Sequence, residues 1–114
     1  MTIREVLTDT DTMKPNQYDE GTKVKWLNEV ENKVYQVISK RKGEVKKPNI
    51  NIESDYDSEL LLPDAFSDIY TYYIESMIDY YNGETQRYNN SAIMFDNAFS
   101  EFENFWYREH RQKS

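Results

Sequence analysis

The spacing of large apolar residues on either side of Asn82-Gly83 constrains this chain more than any other feature. After the glycine they fall at Tyr88, Ala92, Phe95, Phe99, Phe102 and Trp106, in alternating steps of four and three. Before it, Phe66, Tyr70, Tyr73, Met77 and Tyr81 step by four, three, four and four. A strand would repeat every second residue, so both stretches predict helices with one apolar stripe each. Asn-Gly between aromatic residues is otherwise a strong β-hairpin signal. Here Gly83 reads as the residue with positive φ that ends one helix, and Glu84 suits the positive end of the next. The expectation is an αα-hairpin turning at Asn82 and Gly83, with a single kinked helix as the alternative.

The upstream sequence predicts further helix. Thr2-Ile3-Arg4-Glu5 matches a capping box, followed by a short helix over 3–11 with Ile3, Val6 and Leu7 on one side. Pro15-Asn16 interrupts the chain, and a long helix over 18–41 carries Val24, Leu27, Val30, Val34 and Ile38. Residues 43–62 show no helical period and read as an extended loop or arm, with a short strand expected at 49–53. Leu60, Leu61 and Leu62 form an apolar plug before Pro63, which is favoured in the first turn of a helix. The expected fold is therefore all-α: three long helices (18–41, 64–82, 84–107), a short N-terminal helix, and the loop between the second and third. A chain of 114 residues makes one domain of this kind. It contains no apolar run long enough to span a membrane. The absence of cysteine and of a signal-peptide pattern at the N-terminus points to folding in a cytoplasm.

Charge is segregated. Residues 39–47 hold five Lys/Arg against Glu44, a balance of +4, whereas 48–107 hold twelve acids against Arg87 alone. Arg108, Arg111 and Lys113 make the last seven residues basic again. An acidic body argues against general nucleic-acid affinity, which comes mainly from neutralising phosphates. Each basic cluster also follows a predicted helix, where cations meet the negative end of its dipole.

Little in the chain suggests chemistry. Glu53, Asp55, Asp57 and Glu59 recur every second residue, yet lack the glycine and glutamate of a calcium loop at the required offsets. His110 is the only histidine and lies near the C-terminus. There is no glycine-rich phosphate loop or nucleophile elbow. The reading is a non-enzyme with no metal and no cofactor.

Surface area is the sharper clue. Thirteen of the seventeen aromatic residues lie between 64 and 107, and the apolar arc of the 64–82 helix covers about half its circumference. One antiparallel neighbour buries only about 100°. The excess at Tyr72, Tyr80, Ile93, Met94 and Tyr107 predicts self-association, because tyrosine suits surfaces that a partner buries. Asn89 and Asn90 in mid-helix either bridge to the other arm of the hairpin or fix register at a subunit contact.

Two stretches carry a resemblance. "KPNQYDEGTKVKWLNEVENKVY" (14–35) places Lys14-Pro15-Asn16 before a helix bearing Lys25-Trp26-Leu27 and Glu31. "ELLLPDAFSDIYTYYIESMIDYYNGETQRYNNSAIMFDNAF" (59–99) combines Leu-Leu-x-Pro, an aromatic helix, Tyr-Asn-Gly-Glu and Arg-Tyr-Asn-Asn. With them the chain resembles the head–tail connector (adaptor, or head-completion) proteins of long-tailed bacteriophages. The resemblance implies a helical virion subunit, assembled in a bacterial cytoplasm as a ring, usually twelvefold, beneath the portal protein. The ring extends the DNA channel without sequence-specific binding and offers a platform to a stopper or tail-completion protein. It also implies portal docking through the C-terminal segment, here Tyr107, Arg108, His110, Arg111 and Lys113. Charge segregation adds an expected subunit contact between Lys40, Arg41, Lys46 and Lys47 of one copy and the acidic side of the next, Asp55 and Asp57 included. An acidic DNA mimic, or a helical module acting on a host partner, is the alternative function.

Overall fold

The computed structural model describes residues 1–42 and 56–109, without the side chains of 40–42. Four α-helices make up the described fold: α1 (Ile3–Met13), α2 (Glu20–Lys42), α3 (Asp68–Tyr81) and α4 (Thr85–Glu109). Among the described residues there is no strand, only an isolated bridge between Thr2 and Glu59.

Local chemistry explains the helix ends. Thr2 and Glu5 form the expected capping box on α1. Asp19 accepts from the Thr22 amide at 2.7 Å at the start of α2, and that bond holds its carboxyl below the usual carboxylate range. Pro63 opens not an α-helix but a single 3₁₀ turn (Asp64–Phe66), so α3 starts four residues later than the periodicity suggested. Gly83 has φ of 73°, the conformation glycine tolerates without a Cβ penalty, and the Glu84 amide donates back to Asp79 across the turn.

That turn makes a hairpin. Phe66 meets Phe102 and Phe105, Tyr73 meets Phe95, and Tyr80 meets Tyr88, an antiparallel register along the whole of α3. The kinked single helix is ruled out. α2 also runs antiparallel to α3, with Trp26 stacked on Tyr81 and Glu31 bonded to Tyr70. α1 runs parallel to α3: Met1 meets Asp64 at its start and Lys14 meets Asp79 near its end. The molecule measures 50 × 34 × 19 Å, so it is about two helices thick.

These directions place the apolar residues. α3 touches all three other helices and buries Ile69, Tyr70, Ile74 and Ile78. Val24, Leu27, Val30 and Val34 from α2, and Ile3, Val6 and Leu7 from α1, complete the core with Leu60 and Leu62. α4 packs mainly on α3, and its buried residues are Phe102 and Trp106. The broad apolar arc of α3 therefore needs no second copy. Three neighbours within one chain cover most of it, which corrects the inference from width alone.

Candidate interaction surfaces

The two stretches that carry the family resemblance meet in space, through polar contacts centred on one buried carboxylate. The Lys14 ammonium donates to both oxygens of the Asp79 carboxylate at 2.7 and 2.6 Å, and the Ser91 hydroxyl donates to Asp79 as well. Asp79 is 1% exposed, so this group fastens the end of α1 to both arms of the hairpin. Close by, the Tyr18 hydroxyl donates to the Asn82 side chain at 2.7 Å, and Trp26 lies parallel to Tyr81 at 5.6 Å. Lys23, itself buried, reaches Asp11 at 2.8 Å. A buried charge is costly unless paired and hydrogen-bonded, and these pairings satisfy that requirement.

A second network lies toward the opposite end. Glu31 accepts from the Tyr70 hydroxyl at 2.6 Å and from the Leu61 amide at 2.9 Å, while the Leu62 amide donates to the Tyr70 oxygen. Burial pushes the Glu31 carboxyl above the usual carboxylate range, opposed by those two hydrogen bonds. Burial also drives the Tyr70 phenol far above its ordinary value, reinforced by the neighbouring carboxylate. The network clamps Leu60–Leu62 over α2. On the other side of this segment, Arg4 pairs with Asp57 at 2.7 Å and lies over the Tyr56 ring, and the Leu60 amide donates to the Met1 carbonyl. Residues 56–62, expected to belong to a partner-reaching arm, are folded onto their own bundle. The rest of that arm, the expected strand at 49–53 included, lies outside the described residues.

Among the described residues, the large apolar side chains left in water are few: Met13, Tyr80, Tyr81, Ile93 and Met94 are each about half exposed or more. Met13 borders a groove of about 350 Å³ between α1 and α3, whose walls include Asp9, Asp68, Tyr72 and Glu75. Burial raises the Glu75 carboxyl above its usual range.

Asn82 and Gly83 form the hairpin turn. Tyr80, Ile93 and Met94 are exposed, whereas Tyr72 is half-buried in the groove wall. Tyr107 and Arg108 continue α4 instead of beginning a tail, and Tyr107 packs against the core. Asp57 is exposed and paired within its own chain. The Lys40 and Arg41 side chains, and Lys46, Lys47, Asp55, His110, Arg111 and Lys113, lie outside the described residues. Because α2 and α4 are both antiparallel to α3, their C-termini, which lead into the two basic clusters, lie at the same end of the molecule.

Sequence reasoning missed Lys14, Asp79, Ser91 and the roles of Glu31 and Tyr70. The one available signal was an acid or lysine falling on an apolar face, as Glu31 does among Val30 and Val34.

Among the described residues no cluster of His, Cys, Asp or Glu could hold a metal ion, and no helix is long and apolar enough to cross a membrane. No family model, curated protein or solved structure matches the chain.

Proposed function

We propose that this chain is a structural subunit of a phage virion, a head–tail connector that assembles as a ring beneath the portal and joins the capsid to a stopper or tail-completion protein. The observation that carries the reading is the set of large apolar side chains left exposed: Met13, Tyr80, Tyr81, Ile93 and Met94. It lies on a chain whose buried chemistry is spent on fastening helices together. Tyr80 and Tyr81 are neighbours at the hairpin end and Ile93 and Met94 are neighbours on α4, and exposed aromatic and methionine side chains of this kind suit contacts that another subunit covers.

The quoted family resemblance supplies the class of neighbour. Its two stretches form a single fastened unit through Lys14–Asp79 and Tyr18–Asn82, which supports reading them as a scaffold. In the ring, an acidic channel wall repels DNA phosphates at short range, screened over about 8 Å at physiological salt, and DNA slides without sticking. The basic clusters of the sequence at 39–47 and 108–113 supply the positive partner for the portal or for the acidic side of the next copy.

Co-sedimentation with purified portal rings tests the proposal. The expected result is saturable binding in integer stoichiometry, with a second annulus in electron micrographs. Binding should weaken on Tyr80→Ser/Tyr81→Ser substitution. A chain that ignores portal rings but competes with duplex DNA for a basic protein would overturn the proposal in favour of DNA mimicry.

A further inference from the structure

The hairpin tip brings two phenols together that the core does not use. Tyr80 on α3 and Tyr88 on α4 lie with ring centroids 5.4 Å apart and planes tilted by 60°. Both rings border one hollow of about 320 Å³ beside the turn, open to a small oxidant. Other tyrosines have their hydroxyls engaged: Tyr18, Tyr56, Tyr70 and Tyr73 donate to Asn82, Glu20, Glu31 and Glu29. The hydroxyls of Tyr80 and Tyr88 have no such acceptor among the described residues. The chain has no cysteine, so a disulfide cannot tie the two arms. Two phenols in ring contact offer a different covalent bond.

We infer that Tyr80 and Tyr88 form an oxidative crosslinking site, where a peroxide acting through a haem peroxidase joins α3 to α4 as dityrosine. Each phenol gives up its O–H proton and one electron, leaving a phenoxyl radical with spin on the ring carbons ortho to oxygen. One ortho carbon of each ring then forms the new C–C bond. Each ring moves the proton of that carbon to its own oxygen and is a phenol again. The chain loses two hydrogens in all, and the peroxide takes them up to become two waters.

Geometry selects the partner. Tyr81 also touches Tyr80, at 5.1 Å, but the two rings are perpendicular. Tyr81 is moreover laid almost flat on Trp26, 10° from parallel at 5.6 Å, and turning it toward Tyr80 gives up that stacking. Tyr88 has no second ring contact among the described residues and is free to turn at the edge of the hollow. Rings already in contact within one chain also react as a single molecule, at an effective concentration far above that of a second chain in dilute solution. The bond would close the turn at Asn82 and Gly83 covalently. The site stands whether or not the chain binds a portal.

Treatment of the dilute full chain with hydrogen peroxide and a haem peroxidase tests it. Trypsin cuts after Arg87, so it separates Tyr80 from Tyr88. The expected product is a single chain with dityrosine fluorescence, whose tryptic fragments from either side of Arg87 stay joined with the loss of two hydrogens. Phenylalanine keeps the ring and removes only the hydroxyl, so Tyr80→Phe and Tyr88→Phe should leave the circular dichroism unchanged. Each should cut the yield within the chain by at least about tenfold, whereas Tyr72→Phe and Tyr81→Phe should not. Fluorescence that survives Tyr88→Phe, or that appears only in chains joined to one another, overturns the inference. So does a wild type that forms no dityrosine under conditions that couple free tyrosine.

Discussion

α3 and α4 are the two most aromatic helices of the chain, and their fates differ. α3, at 14 residues, has six buried residues and touches every other helix; α4, at 25 residues, has two and leans chiefly on α3. The lesson concerns what apolar width means. The width of a stripe reports how many neighbours a helix has, not whether they belong to the same chain. In α3 the neighbours are α1, α2 and α4. In α4 the core stripe has its neighbour, while the far side carries Ile93 and Met94 in water.

That contrast can be broken most sharply with one residue type. Ile74→Ala in α3 should cost about 3 kcal/mol in urea unfolding, through lost burial and a cavity. Ile93→Ala in α4 should change the stability of the single chain by no more than about 0.5 kcal/mol. Equal costs would mean that α4 is covered within one chain after all. Next in size, Lys14→Met should cost about 2 kcal/mol, because it strands the Asp79 carboxylate with Ser91 alone; Lys14 is 24% exposed, so solvent softens the loss of the pair. Replacing Asp79 by Asn in that background should recover part of the loss, and no recovery would mean that packing, not charge, holds α1 to the hairpin. Gly83→Ala should cost about 1 kcal/mol, since φ is 73° but nothing lies near the added methyl; Gly83→Asn should cost less.

The smallest effect depends on pH. The Met1 ammonium, hydrogen-bonded to Glu59 and Asp64, has its pKa raised above its ordinary value. The tether is therefore fully present below the unfolded value and is lost as pH rises through the raised folded one. Amide exchange at Leu60, corrected for the intrinsic rise with pH, should speed up in that window only. Faster exchange on acidification alone would contradict the assignment.

Much of the fold was legible because it rests on local rules. The Thr2–Glu5 box, the Pro15 break, the glycine at the hairpin turn and the two apolar stripes each announce themselves within a few residues. The illegible parts depend on long-range partner choice. Nothing near Lys14 indicates that it will meet Asp79, and nothing near Glu31 indicates that it will clamp Leu61. The topology, with α1 parallel to α3 and α2 antiparallel to it, makes both pairs. The same gap explains Tyr72, expected at a subunit contact but half-buried between α1 and α3. It also explains residues 56–62, whose lack of helical period said nothing about the Arg4 and Met1 groups waiting for them.

Methionine oxidation footprinting tests most directly whether the uncovered surface is an assembly surface. Met13 and Met94 are exposed, whereas Met77 packs against the core. In dilute chain, Met13 and Met94 should oxidise quickly and Met77 slowly. On the portal ring, at least one of the fast pair should be protected several-fold while Met77 is unchanged. If Met13 and Met94 stay as reactive with portal present, and at high chain concentration, as they are in the dilute chain, the surface is a solvent face and the account fails.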